Sequence, residues 1–203
     1  MFVKVNQEDF SASLQVVQRA ASLNTTLPIL TGVLLKTKKD HIELRTTDLE
    51  LTIISFCPAV INEEGTVVVP AKLILDIFKH LPPGTVNLKT GDGSLEIESG
   101  GSSFKIKTMS PEDFPKPPEI QEINKVVVKN SILTTVLKQI VKSISKDESR
   151  PVLTGAFLGF NSNFVEVVAT DSYRLALKKV DNVKVKGKDE VKFSLIVPAK
   201  VLE

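Results

Sequence analysis

The sequence predicts an α+β protein made of two copies of one unit, each setting two helices against a mostly antiparallel sheet. Three observations predict it. PILTG at Pro28 to Gly32 returns as PVLTG at Pro151 to Gly155, an offset of 123 residues, and Thr47-Asp48 returns as Thr170-Asp171 at the same offset. VPAK at Val69 to Lys72 returns at Val197 to Lys200, an offset of 128, so the second copy carries five extra residues in the preceding loop. Between these landmarks, apolar residues alternate with period two in some segments and recur at three- and four-residue spacing in others, as half-buried strands and amphipathic helices require.

The elements follow in order. Phe2 to Val5 reads as a short strand. A helix is predicted over Glu8 to Ser22, where Phe10, Leu14, Val17 and Ala21 fall on one face. Its counterpart begins at Ser131, with Leu133, Val136, Leu137, Ile140 and Ile144 as the apolar stripe and Asn130 or Ser131 as the cap. Ile29 to Lys36, His41 to Thr46 and Glu50 to Cys57 are rich in β-branched residues and leucine and read as strands. Pro70 ends a strand and starts a helix that runs to about His80, before Leu81-Pro82-Pro83-Gly84 breaks it. Val86 and Leu88, Leu95 and Ile97, and Phe104 and Ile106 mark three further strands, the first two joined by a Gly91-Asp92-Gly93 turn. Ser110 to Asn124 carries Pro111, Pro115, Pro117 and Pro118 among acidic residues, the composition of an ordered, extended linker. The domains are therefore expected at 1–122, a complete unit, and 123–203, a truncated one. Because the second copy stops three residues after its VPAK and a half-unit leaves a buried face uncovered, the repeat predicts that the native polypeptide continues.

Composition excludes several functions. No stretch approaches the roughly 20 apolar residues of a membrane span, and Met1-Phe2-Val3-Lys4 opens a strand rather than a signal peptide, which predicts a cytoplasmic protein. Cys57 is the sole cysteine, and His41 and His80 are the only histidines, so an intrachain disulfide is impossible and a thiolate or imidazole metal cluster is not expected. No phosphate-binding glycine loop, zinc helix or nucleophile elbow is present, and no cofactor is implied. Asp48 and Asp171 are the most notable carboxylates because they occupy equivalent places; a repeated Thr-Asp is first of all a turn device. An enzyme acting on nucleic acid or nucleotides through Asp48 or Asp171 and a divalent ion is one alternative function, and a DNA-independent interaction scaffold is another. Formal net charge is only +2, so what matters is where the basic residues gather. Lys138, Lys142 and Lys146 are spaced four apart and fall on one face of the second copy's long helix, and the first copy has Gln15 and Arg19 at equivalent positions. Such a face suits phosphates without reading bases.

LPIL at Leu27 to Leu30, TDLE at Thr47 to Glu50, VPAK at Val69, SPEDFP at Ser110 to Pro115 and ATDSYRLA at Ala169 to Ala176 resemble the bacterial sliding clamp family, the β subunit of DNA polymerase III. The resemblance spans the whole chain in the family's order. It implies the DNA-clamp fold and a non-enzymatic processivity factor. In that family three similar domains per chain join head-to-tail as a homodimer, a ring around double-stranded DNA, so a third domain is expected beyond the chain end. Arg19, Lys138, Lys142 and Lys146 would face the DNA. A partner-peptide pocket for polymerase, clamp loader and repair proteins would comprise Arg150, Leu153, Thr170, Ser172, Tyr173, Arg174 and Leu175. Phe104 and Ile106 would mark the dimer edge. Two departures stand out: Ser172-Tyr173 replaces the family's frequent Gly-His, and Asn24 sits where some relatives carry a basic DNA-facing residue.

Overall fold

A computed structural model describes residues 1–22, 25–117, 125–147, 149–161, 163–181, 184–186 and 192–202. Asn24, the end of the expected linker and most of the five-residue insertion region lie outside the described residues. The chain forms two compact units, Met1–Pro118 and Glu119–Glu203.

The first unit starts with β1 (Phe2–Asn6), and the Asn6 side chain then accepts hydrogen bonds from the amides of Glu8 and Asp9, capping α1 (Gln7–Val17). Phe10, Leu14 and Val17 are fully buried, as their spacing demands. The helix is shorter than its sequence suggests. After Val17 it tightens into a 3-10 turn over Gln18–Ala20, and Ala21 is already extended. The Thr46 hydroxyl donates to the Val17 carbonyl, so a neighbouring strand takes the acceptor that a continuing helix would use.

The strands β2 (Gly32–Thr37), β3 (His41–Thr47), β4 (Thr52–Glu63) and β5 (Thr66–Pro70) follow. Where a strand was expected from Ile29, Pro28–Thr31 instead form a 3-10 turn, closed by the Thr31 hydroxyl on the Pro28 carbonyl at 2.7 Å. β4 runs six residues past its expected end at Cys57. Its first half pairs with β3, ending at His41 opposite Pro58, and its second half pairs with β1, beginning at Val5 opposite Ala59. Pro58, which has no amide hydrogen to give, sits where the strand changes partners. Cys57 is buried beside it, and burial pushes its thiol up to about 11, so it stays a protonated, small packing group.

Next come α2 (Ala71–His80) and the strands β6 (Thr85–Gly91), β7 (Ser94–Ser99) and β8 (Ser102–Lys107). Asp92 and Gly93, at φ 46° and 69°, make the two-residue turn between β6 and β7 with the mirror-image geometry that tight hairpins prefer. All eight strands join one antiparallel sheet in the order β5-β2-β3-β4-β1-β6-β7-β8. Both helices pack on it, with the Phe10 and Phe78 rings 4.6 Å apart at the centre of the core. The segment after β8 does not leave at once. Met109 bonds to the Val68 carbonyl, and Phe114 is buried against Leu34 and Val68, so the first part of the expected linker belongs to the first unit.

In the second unit, α3 (Asn130–Ile140), β10 (Gly155–Phe160), β11 (Phe164–Thr170) and β12 (Leu175–Asp181) each begin 123 residues after α1, β2, β3 and β4, and β14 (Phe193–Pro198) and α4 (Ala199–Leu202) stand where β5 and α2 stand. The four strands form an antiparallel sheet ordered β12-β11-β10-β14. β9 (Lys125–Val127) pairs with β13 (Lys184–Lys186), as β1 pairs with the second half of β4. Two features of α3 differ from expectation. Lys129 holds the cap position with no side-chain bond, and Asn130 is the first helical residue. The helix ends at Ile140, with a 3-10 turn over Val141–Ser143 and an extended, buried Ile144, repeating the early end of α1. A repeated glycine accompanies this plan. A methyl group on Gly32 would come within 2.5 Å of the Val68 side chain, and one on Gly155 within 2.6 Å of the Val197 carbonyl oxygen, so both copies need glycine where two strands cross closely.

Candidate functional site

The repeated Thr-Asp builds the same turn twice. In the second unit the Asp171 carboxylate accepts the amides of Tyr173 and Arg174 at 3.1 and 3.0 Å, while Ser172 takes a left-handed φ of 76°. The Thr170 hydroxyl donates to the Arg174 carbonyl at 2.7 Å. In the first unit Asp48 accepts the amides of Glu50 and Leu51, and Leu49 takes φ 78°. Both carboxylates therefore serve as turn acceptors. The Arg174 and Tyr173 amides hold the Asp171 carboxyl below the usual carboxylate range, and its bond to the Arg174 side chain adds to this. Among the described residues no group of three or more His, Cys, Asp or Glu is placed to hold a metal ion.

From this turn Arg174 reaches across a cleft. Its Nε pairs with Asp171 at 3.0 Å, and its Nη2 donates to the Lys142 carbonyl at 2.6 Å, tying the turn to the segment that follows α3. Arg150 Nη1 donates to the Ser172 hydroxyl at 3.1 Å and so braces the residue with the unusual φ. Between these ties lies an open cavity of about 840 Å³ lined by Val141, Lys142, Ile144, Ser145, Lys146, Asp147, Arg150, Leu153, Asp171, Tyr173 and Arg174. Its apolar floor is Val141, Ile144 and Leu153; its rim is polar.

Four of the seven expected pocket residues, Arg150, Leu153, Tyr173 and Arg174, line this one cavity. Thr170 and Ser172 shape the turn without lining it. Leu175 does not line this cavity: it opens β12 with 64% of its surface exposed, opposite Thr170. Tyr173 is 98% exposed, so it lines the cavity without packing as a wall.

The lysine stripe is not formed as the spacing suggests. Lys138 is exposed on α3, but Lys142 falls in the 3-10 turn and Lys146 beyond it, because the helix stops at Ile140. A period of 3.6 residues cannot be carried through a 3-10 turn and an extended residue. Both lysines line the cavity instead. The first copy holds the clue, since Arg19, the equivalent of Lys142, also sits in a 3-10 turn. In the first unit, Phe104 and Ile106 lie on β8, an edge of the sheet; Ile106 is 3% exposed in the core, whereas Phe104 is 39% exposed.

Comparisons with known proteins agree with this plan. Residues 1–118 match the family model of the DNA polymerase III beta subunit, N-terminal domain, and residues 127–203 match that of its central domain. The chain is 31% identical over 212 residues to the beta sliding clamp of Halalkalibacterium halodurans, covering all of this chain and 55% of that protein. It thus spans about half the length of the curated relatives it matches. Its fold superposes on the Bacillus subtilis DNA polymerase sliding clamp with a TM-score of 0.90 at 28% identity, over 100% of this chain and 55% of that one. A Helicobacter pylori beta clamp bound to a DNA ligase peptide has the same fold, with a TM-score of 0.88 at 24% identity, over 100% of this chain and 57% of that one. With two units built to one α+β plan and a family match across each, the chain belongs to the DNA polymerase III beta subunit family of sliding clamps.

Proposed function

We propose that this chain supplies the first domain, 1–122, and a truncated second domain, 123–203, of a DNA polymerase processivity factor, a ring that encircles duplex DNA and holds partner proteins on it. The observation that carries this reading is the repetition of one unit at a fixed offset, helix for helix and strand for strand. Equivalent units joined in series present equivalent helices in series, which is what a sequence-blind lining for DNA requires. Exposed Arg19 and Lys138 are the basic groups assigned to that lining. The open edge β8, with Phe104 on it, is assigned to head-to-tail pairing with a third domain of a second subunit. The cavity at Leu153 and Arg174 takes short apolar motifs from the polymerase, the clamp loader and repair proteins. The ligase peptide on the Helicobacter pylori protein supports a peptide as occupant. The factor is non-catalytic: Asp48 and Asp171 are committed to turns, which argues against the enzyme reading. It works in the bacterial cytoplasm at the nucleoid. Among the described residues no helix is long and apolar enough to cross a membrane.

The test is topological. The full-length protein, loaded on nicked circular DNA by a clamp loader, should remain bound through gel filtration at a salt concentration that strips ordinary DNA binders, and should be lost when the DNA is linearised. Equal retention on both forms would remove the ring.

A further inference from the structure

The face of the first unit's sheet that looks away from its core is mostly polar. On β1, β3, β6, β7 and β8 the residues alternating with the core include Lys4, Glu43, Lys89, Glu96 and Lys105. β2 and β5 place Leu34 and Val68 there, and Phe114 covers both. β4 differs. Ile53, Cys57, Ala59 and Ile61 pack on the core, so Ile54, Phe56, Pro58 and Val60 form a row on the outer face. All four are exposed, Phe56 by 58% and Val60 by 63%. The repeated plan does not demand this row, because the residues 123 positions after Phe56 and Pro58 are Lys179 and Asp181 on β12. A contiguous exposed apolar row marks a surface that something covers.

The charges around the row define what covers it. Glu43, opposite Phe56, is bound by Arg45 at 2.5 Å, and Asp40 is bound by His41, whose ring stands edge-on to Phe56. Lys4 lies opposite Val60, and Lys36 lies opposite Glu43 on the side away from Phe56. Both lysines are exposed, and among the described residues neither ammonium group is in an ion pair. The Arg45 Nε is buried without a hydrogen-bond acceptor. The neighbouring carboxylates are thus engaged, and the cations are left over. A second copy of this face would set lysine against lysine, and a flat sheet face offers no projecting tip to enter a membrane. From this pattern we infer that the outer face of the first unit is a docking surface for an acidic amphipathic helix of a partner protein. The row spans about 20 Å, the length of about four helical turns. Apolar side chains of the helix cover Ile54, Phe56 and Val60, and its flanking carboxylates meet Lys4 and Lys36. The surface lies in the first unit, whereas the cavity described above lies in the second.

The experiment uses the full-length protein and three labelled, amidated helical peptides of about 18 residues, titrated by fluorescence polarisation at low ionic strength. One has leucine along one face and glutamate flanking it; the second has lysine for glutamate, and the third has serine for leucine. The first should bind about tenfold more tightly than either control. Phe56→Ser/Val60→Ser should weaken it about tenfold or more, as loss of apolar anchors does, while the unfolding midpoint stays nearly unchanged because both side chains are exposed. K4Q/K36Q should weaken it about three- to tenfold and flatten its salt dependence. Leu153→Ala should leave it unaltered. The inference is overturned if the acidic peptide shows no saturable binding, if F56S/V60S binds it as well as the unaltered protein does, or if the basic peptide binds as tightly. Loss of binding in Leu153→Ala alone places the peptide in the second unit's cavity and overturns it too. Self-association, or flotation with phosphatidylglycerol vesicles, that depends on Phe56 and replaces peptide binding names a different occupant and overturns the helix.

Discussion

Asp171 is one carboxylate doing three things: it accepts two amides, pairs with Arg174 Nε, and so aims Arg174 Nη2 at the Lys142 carbonyl. Its bonds are made by the charged form, so its carboxyl is held below the ordinary value of about 3.9. A depressed folded-state value means that the stabilisation is fully present above the unfolded value and is lost as pH falls through the folded one. Affinity for an uncharged peptide with an apolar anchor should therefore be flat from about pH 8 to 5 and fall only below about pH 4. Asp171→Ala should lower that affinity about tenfold at neutral pH with little change in the thermal midpoint, since the turn is exposed and local. A decline in the unaltered protein already between pH 7 and 5 would place the controlling group elsewhere. The repeat drew attention to this residue, and turn chemistry explained it, because an Asx turn is encoded within five consecutive residues. Leu175 was harder to place. Alternation assigns it to a face of β12, but which face is floor and which is open depends on what packs against the sheet.

At the scale of elements, β8 is the open edge of an eight-stranded sheet, and its two apolar residues have separated roles. Ile106 lies opposite Leu95 and is buried; Phe104 lies opposite Ile97 and is half-exposed. Ile106→Ala should destabilise the first unit by about 2–5 kcal/mol, the usual result of emptying a core site. Phe104→Glu should leave the unfolding transition nearly unchanged while shifting the full-length protein from dimer to monomer in sedimentation velocity, because a charge on the edge opposes pairing. A Phe104→Glu variant that stays dimeric would exclude this edge from the interface. Elements were mostly legible in the sequence, and their ends were not. α1 and α3 keep an apolar stripe past their last helical residue, yet both tighten at the same point. In α1 the cause is the Thr46 hydroxyl on the Val17 carbonyl, a bond between residues 29 apart, which no local pattern contains. In α3 the extended Ile144 is drawn into the core, and it is this stop that carries Lys142 and Lys146 off the helix and into the cavity.

For the molecule as a whole, the 123-residue offset predicted the architecture more reliably than any single segment could, because a repeat reports the plan twice and independently. The cavity, not the offset, divides the basic residues into two groups. Lys142 and Lys146 line the cavity, whereas Lys138 is exposed on α3 and Arg19 follows α1. If the second group meets phosphates, each contact releases condensed counterions, and the logarithm of DNA affinity falls with the logarithm of salt by about 0.9 per contact. The slope thus counts contacts without knowing the DNA sequence. Replacing Arg19 and Lys138 together by glutamine should flatten the slope for full-length protein on duplex DNA by up to about 1.8 per subunit set and speed loss from circular DNA at moderate salt. K142Q/K146Q should leave that slope as it was, since those two residues line the cavity. Fold integrity is checked in both variants by circular dichroism. A slope that flattens for K142Q/K146Q and not for the Arg19 and Lys138 pair would reverse the two assignments and return the lysines to the DNA-facing surface.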